Sequence, residues 1–326
     1  MFTGRYTSDQ LKAKLAGGLI PAAPVMFDRD GTFHERAHEA YVSFMSAQPI
    51  AGVAVWAHTG RGLLLDDETA QRVMQLWRHA LPDTPLIAGV GAQKTQTNPQ
   101  EATNATLTMA SAAAGYGADA LLVYPPSWLK HHERRDSLIV QHHEHLSKLG
   151  LPLVLFYLYE AGGGVRYTIK VLDELMTLPN VIGIKMATLD SVMTYQDVAS
   201  QIQSRHPDKL LITGEDRFLG YSLRRGAKAA LIGMGAVCTD LQAELIDAHF
   251  AGNAERFLEL SDLTDRLAEV LFIQPMEGYI GRILYALAKL GVIPADAASD
   301  PWGPPLTATE LNNITTLLNA LNVQVD

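Results

Sequence analysis

Cysteine is almost absent from the chain. Cys238 stands alone among 326 residues, so no internal disulfide can form and a reducing compartment is expected. Charge-free apolar runs of membrane-spanning length are missing, which speaks against a membrane partner. The N-terminal stretch MFTGRYTSDQLKAKLAGG has no continuous apolar segment of the kind a secretory leader needs, and a cytoplasmic location is the expectation. No basic block stands out either. With 26 lysines and arginines against 35 acidic residues the formal net charge is −9, so nucleic acid is not an expected partner. The chain also lacks an H-E-x-x-H pair and a G-x-G-x-x-G turn behind its first apolar run, and neither a metal nor another cofactor is expected.

What the chain has in quantity is apolar material, 48% hydrophobic against 19% charged residues, enough for a large packed core. Short β-rich apolar runs fall at 18–23, 52–56, 86–90, 120–124, 153–158, 181–185, 210–213 and 229–233. Most intervals between them carry helical periodicity, as at 67–81, 98–115 and 167–178. Strands separated by crossover helices pair in parallel. Runs such as LPLVLFYL and NVIGIK are continuously apolar, as strands covered on both faces are. Eight such units in about 240 residues is the count and length of a (β/α)8 TIM barrel, an α/β fold, with a doubly wound sheet as the alternative. TSDQLKAKL offers a capped short helix ahead of the first strand that could close the barrel bottom. Helical patterns at 254–271, 281–290 and 307–321 are interrupted by Gln274-Pro275 and by AASDPWGPPL. The expected layout is a barrel with its N-terminal helix over 1–240 and a C-terminal helical extension over 241–326 packed on its flank.

In such a barrel the residues closing the strands carry the chemistry, because the site lies at the strands' C-terminal ends. The sixth run ends on Lys185. Desolvated there, its amine would have a lowered pKa and attack a carbonyl, while a lysine leaving to solvent fits the same position. The fifth ends with Tyr157 and Tyr159, which strand alternation sends to one side, as proton carriers at the mouth or as packing aromatics. The second ends in Trp56-Ala57-His58-Thr59-Gly60-Arg61, whose amides and hydroxyl could hold a carboxylate and whose His58 could act as an acid or base; ordinary loop polarity is the other reading. The glycines at 162–164 lack the strand-helix context of a phosphate loop and read as a turn. HHERRD and QHHEHL carry His131, His132, His142, His143 and His145, which read as a charged helix surface rather than a metal set. Cys238 reads as a buried, bland thiol.

The segments PAAPVMFDRDGTF, PLIAGVGAQKT, GYGADALLVYPP, LPLVLFY, LPNVIGIKMAT, TGEDRF and GRILYALAKLGVI run over nearly the whole chain. Together they resemble the dihydrodipicolinate synthase and N-acetylneuraminate lyase family of class I aldolases. The most specific element pairs LPxxLxY with NVIGIK. Residues 157 and 185 are 28 positions apart, the family's spacing of catalytic tyrosine to Schiff-base lysine, which selects Tyr157 over Tyr159. The resemblance implies that Lys185 condenses with the ketone of pyruvate or a related 2-oxo acid and that the protonated imine is an electron sink for C–C cleavage or formation. It implies that Tyr157 moves protons, that Thr59 with Gly60 binds the 2-oxo acid carboxylate, and that the Leu231 backbone carbonyl approaches the pyruvate. A homotetramer is implied as well.

The departures from the family's pattern are specific. Where the family has G-T-T-G-E, this chain reads Ala57-His58-Thr59-Gly60-Arg61, so His58 replaces the first threonine of a proton relay. Pro125 is followed by Pro126, Ser127 and Trp128 instead of an aromatic pair. Gly162 stands where the synthase has the arginine that holds its aldehyde substrate's carboxylate, so a true dihydrodipicolinate synthase is not expected. Arg61 or Arg166 could supply a cation from elsewhere. Trp56, His58, Ser127 and Trp128 imply a larger or more aromatic second-substrate pocket, with His58 and Ser127 among its binding residues. The expected activity is that of a Schiff-base lyase or aldolase making or cleaving a 4-hydroxy-2-oxo acid. A sugar-acid dehydratase using the same imine and a non-catalytic 2-oxo acid-binding protein are the alternatives.

Overall fold

The apolar runs become eight parallel strands. In the computed structural model, which describes residues 4–93 and 95–321, these are β1 (Leu19–Pro21), β2 (Val53–Val55), β3 (Leu86–Val90), β4 (Ala120–Val123), β5 (Leu153–Leu158), β6 (Val181–Ala187), β7 (Leu210–Thr213) and β8 (Ala229–Ile232). The outermost ends of the expected layout, 1–3 and 322–326, lie outside the described residues. Strand order follows the chain, with β8 paired to β1. Closure comes where the Ala23 amide donates to the Ala54 carbonyl at 2.9 Å, beside a parallel bridge between Ala22 and Ala54. β6 continues two residues past Lys185, because β5 still pairs with it at Ala187 and β7 at Met186.

The helices are α1 (Ser8–Leu15), α2 (Glu35–Ser46), α3 (Asp67–Ala80), α4 (Pro99–Gly115), α5 (Arg135–Ser147), α6 (Ile169–Met176), α7 (Val192–Arg205), α8 (Leu219–Arg224), α9 (Thr239–Phe250), α10 (Ala254–Leu271), α11 (Tyr279–Lys289) and α12 (Ala308–Ala320). Among the described residues, no helix is long and apolar enough to cross a membrane. The continuous apolar strands divide their side chains between two layers, as two-faced burial requires. Ile20, Ala54, Ile87, Leu122, Phe156 and Leu231 fill the barrel, whereas Val53, Val55, Leu121, Leu155, Tyr157 and Met186 pack outward under the helices. α1 starts with a capping box between Thr7 and Gln10, and its Leu11 and Leu15 join the inner layer. Leu15 sits against Gly52 at the start of β2, so this helix closes the end of the barrel opposite the strands' C-termini.

The C-terminal helices do more than flank the barrel. Fully buried Arg282 of α11 donates to Glu310 of α12 at 2.8 Å, to the carbonyls of Leu271 and Ile273 at 3.1 and 2.9 Å, and to that of Pro275 at 3.2 Å. One guanidinium thus holds the loop between α10 and α11, and that loop crosses the open end of the barrel. The histidine-rich stretch is not all surface. His142 and His143 face inward from α5 and are buried, because the apolar period that places Ile139 and Leu146 inside carries them along. Among the described residues, no group of histidine, cysteine, aspartate or glutamate is arranged to hold a metal ion. Cys238 is buried, and burial pushes its thiol up to about 12.

Candidate active site

Strand register decides which side chains meet at the C-terminal end of the barrel. Lys185 lies opposite Phe156 of β5 and Ile212 of β7, both of the inner layer. It is 5% exposed, and its Nζ stands 4.4 Å from the centre of the Phe156 ring. Burial holds its amine well below the ordinary lysine range, while the charges of Asp216 and Glu215 beyond β7 pull it back up. Asp216 is itself pushed up by burial, against the opposing pull of a 2.7 Å bond from the Met234 amide and of Lys185. Burial likewise pushes Glu215 up to about 8, although it accepts from the Thr188 amide (2.7 Å), the Thr188 hydroxyl (2.9 Å) and the Leu189 amide (2.7 Å). Those bonds pin the turn after β6, where Leu189 has the left-handed φ of 58°. Neither acid was among the candidates from sequence. The signal was present, since TGEDRF puts both just past the seventh apolar run.

The turn after β2 makes the opposite wall. His58, Thr59 and Gly60 form one 3-10 turn, and a Cβ on Gly60 would stand 2.7 Å from the Ala23 carbonyl, so only glycine lets the turn lie so close to the end of β1. His58 stacks on Tyr279 with ring centres 6.1 Å apart, and its Nε2 donates to Glu277 Oε1 at 3.1 Å. Tyr159 donates to the same oxygen. Arg61 donates to Glu277 Oε2 at 2.8 Å and forks onto Asp300 at 3.2 and 2.7 Å. Burial pushes the Glu277 carboxyl up, but His58, Tyr159 and Arg61 outweigh it and hold the group below the usual glutamate value. Thr59 Oγ1 is 3.0 Å from the Tyr279 hydroxyl, and both are buried.

Beside the turn after β2 lies a cavity of about 220 Å³, bordered by His58, Arg61, Tyr124, Ser127, Gly163 and Glu277 together with Leu63, Leu64 and Leu158. The Tyr124 ring is 5.5 Å from that of Phe156, which in turn lies against Lys185. The lysine therefore stands one aromatic ring removed from the cavity. Of the residues expected from sequence, His58 and Ser127 reach the cavity wall, Thr59 and Gly60 lie behind it, and Leu231 is fully buried in the inner layer.

Tyr157 requires a correction. Its register partner is Met186, not Lys185; it packs in the outer layer, with its ring 5.9 Å from that of Tyr167. Phe156 takes the position facing the lysine, so the proton-carrying role expected of Tyr157 has no geometric basis. Tyr159 parts company with it, because β5 ends at Leu158 and alternation no longer applies; Tyr159 joins the inner layer. Trp56 and Trp128 do not enlarge the mouth either. Trp56 turns outward and donates to the Ala70 carbonyl at 3.0 Å, and Trp128 packs edge-on to His142 at 5.2 Å. Arg166 is exposed, and Arg61 is already bonded to two carboxylates. Glu277 was also missed from sequence, because it stands in a loop without a motif.

A sequence model of the Dihydrodipicolinate synthetase family matches residues 15–321. The 4-hydroxy-tetrahydrodipicolinate synthase of Bartonella quintana is 26% identical over 279 residues, covering 84% of this chain and 88% of the relative. Among solved structures, the dihydrodipicolinate synthase of Thermotoga maritima superposes with a TM-score of 0.82 at 20% identity, covering 94% of this chain and 98% of that one. The N-acetylneuraminate lyase of Mycoplasma synoviae does so with a TM-score of 0.74 at 23% identity, covering 94% and 97%.

Proposed function

Because the chain belongs to the dihydrodipicolinate synthetase family, we propose that it is a class I aldolase that makes or cleaves a 4-hydroxy-2-oxo acid through an imine on Lys185. The observation that carries this reading is the lysine itself, buried two residues before the end of β6, its pKa lowered by desolvation, with two buried carboxylates near it. A neutral amine attacks the ketone carbon of the 2-oxo acid and water leaves, giving a protonated imine. In the cleavage direction the C3–C4 bond breaks, its electron pair moves into the imine to give an enamine, and the C4 hydroxyl loses its proton as the aldehyde forms. Protonation at C3 and addition of water then release pyruvate and restore the amine. Asp216 and Glu215 oppose the positive charge of the imine, and Thr59 with the amides of its turn supplies the carboxylate site. With Phe156 beside the lysine, the acid–base groups at the mouth are His58, Tyr159 and Glu277.

The gap left by Arg61's commitment and by Gly162 supports a substrate other than that of a true dihydrodipicolinate synthase. The division of the chain at residue 240 belongs to the same proposal: 241–326 delivers Glu277 and Asp300 to a barrel built by 1–240. A homotetramer is proposed from family membership.

The deciding experiment incubates the protein with pyruvate, reduces with borohydride, digests, and seeks the adduct on the Lys185 peptide by mass spectrometry. No adduct with pyruvate or longer 2-oxo acids would end the proposal. Two further results are expected from the same assay. A Cβ at position 214 would stand 2.6 Å from Lys185 Cε and 2.7 Å from the Met186 carbonyl. Gly214→Ala should therefore displace the lysine and slow adduct formation by about 10- to 100-fold, with a thermal melt reporting that the barrel remains folded. The second concerns pH. Only the neutral amine attacks, so the rate rises with pH through the lysine pKa, and Asp216 raises that pKa. Asp216→Asn should move the rising limb to lower pH by about one unit or more while lowering the plateau, because the imine loses a counter-charge. A limb that stays put or moves upward contradicts this assignment.

A further inference from the structure

We propose that Tyr279 is a positioning residue for the 2-oxo acid: its phenol donates to Thr59 and so turns the Thr59 hydroxyl hydrogen toward the substrate carboxylate. The inference deepens the Schiff-base reading, on which it rests together with the carboxylate site proposed at Thr59. Thr59 follows β2 and Tyr279 opens α11, 220 positions later, yet Thr59 Oγ1 and the Tyr279 hydroxyl stand 3.0 Å apart. Both residues are buried, at 3% and 4% exposure. The contact is built into the backbone. Gly233, directly after β8, lies against the pair. A Cβ there would stand 3.0 Å from Tyr279 Cε2, 3.1 Å from Thr59 Oγ1 and 3.3 Å from Phe272 Cζ, so a side chain would press on both partners. The Tyr279 ring stacks nearly parallel on Phe272, with centres 4.7 Å apart, and on His58 at 6.1 Å. Arg282, one turn further along α11, fixes that end of the helix through the carbonyls of Leu271, Ile273 and Pro275.

Hydroxyl chemistry decides the direction of the bond. A phenol is a more acidic donor than an aliphatic alcohol, and a weaker acceptor because its ring draws on the oxygen lone pair. Tyr279 therefore donates and Thr59 accepts. The threonine hydroxyl has one hydrogen and two lone pairs. With Tyr279 on a lone pair, the hydrogen is left for another acceptor, and a carboxylate oxygen of the 2-oxo acid is the strong acceptor that the reaction brings. Burial holds the phenol well above the ordinary tyrosine range, and Tyr159 and Glu277 add to this against the pull of the Thr59 bond. Tyr279 thus keeps its proton across the working pH range, as a fixed donor does and a proton carrier does not. Without it the Thr59 hydroxyl would rotate, and part of the carboxylate's binding would go into ordering that rotor.

The test follows borohydride trapping on Lys185 across a range of pyruvate concentrations, with acetone, a ketone without a carboxylate, as the comparison. Tyr279→Phe removes one oxygen and keeps the stack. It should raise the half-saturating pyruvate concentration by about fivefold or more, while the limiting trapping rate stays within about threefold of wild type. The loss of trapping efficiency on pyruvate should exceed that on acetone by about fivefold. Thr59→Val should weaken pyruvate in the same way, and adding Tyr279→Phe to it should cost less than about twofold more, because the phenol acts through Thr59. The rising limb of the pH profile should stay in place. An equal loss on both ketones, no loss, additive losses in the double variant or a displaced limb overturns the positioning role and leaves the Schiff-base reading standing. Should Tyr279→Phe fail to fold, Gly233→Ala decides. It keeps both hydroxyls and presses on them, so it should show the same preferential loss on pyruvate, and without that loss the positioning role falls. Absence of trapping in wild type overturns both readings.

Discussion

Lys185→Ala should abolish the borohydride-trapped adduct and lower kcat on the order of 10⁴-fold, the scale of losing a covalent nucleophile. The expectation is specific because no described lysine shares its setting. Lys185 is 5% exposed within the inner layer, while Lys209, the other lysine whose amine burial lowers, reaches out to the Val181 carbonyl on the side of α1. Circular dichroism and a thermal melt should show the variant folded, since alanine leaves Asp216 and Glu215 free to take up protons that burial already favours. Residual turnover within about tenfold of wild type would transfer the chemistry to another group.

The largest effect on stability is expected from Arg282→Met. Methionine fills much of the same volume and removes every donor. The carbonyls of Leu271, Ile273 and Pro275 would lose their partner, and Glu310 would lose its cation while keeping its bonds to Thr307. Breaking a buried charge network from one side costs about 3–5 kcal/mol. Chemical denaturation should register a loss of that order. A loss below about 1 kcal/mol would mean that the loop is fixed by packing alone.

Much of the fold was legible in the sequence because a buried parallel strand leaves a signature that survives without context. The runs at 86–90, 153–158 and 210–213 coincide with β3, β5 and β7. Which face a residue takes is less legible. In LVLFYL every side chain is apolar or aromatic, so no alternation marks the inside, and a one-residue difference exchanges Phe156 for Tyr157 beside the lysine. The spacing of 28 positions was an argument along the chain, whereas the register that places Lys185 opposite Phe156 is an argument across it. Lys185 was singled out because it ends an apolar run and matches the family's motif, and the structure places it buried rather than leaving to solvent. Glu277 was not, because its partners His58 and Arg61 lie 219 and 216 positions away and nothing local marks it.

That separation matters for how the protein comes into being. A growing chain that has emerged through β8 contains all eight strands and Lys185, but not Glu277, which borders the cavity at the mouth. Arg61 waits in its left-handed turn, at φ of 52°, for two acids that are synthesised last. Lys185 is thus made early and the Glu277 side of the cavity late. Variation confined to the final quarter of the gene could reshape that side of the cavity without touching the strands.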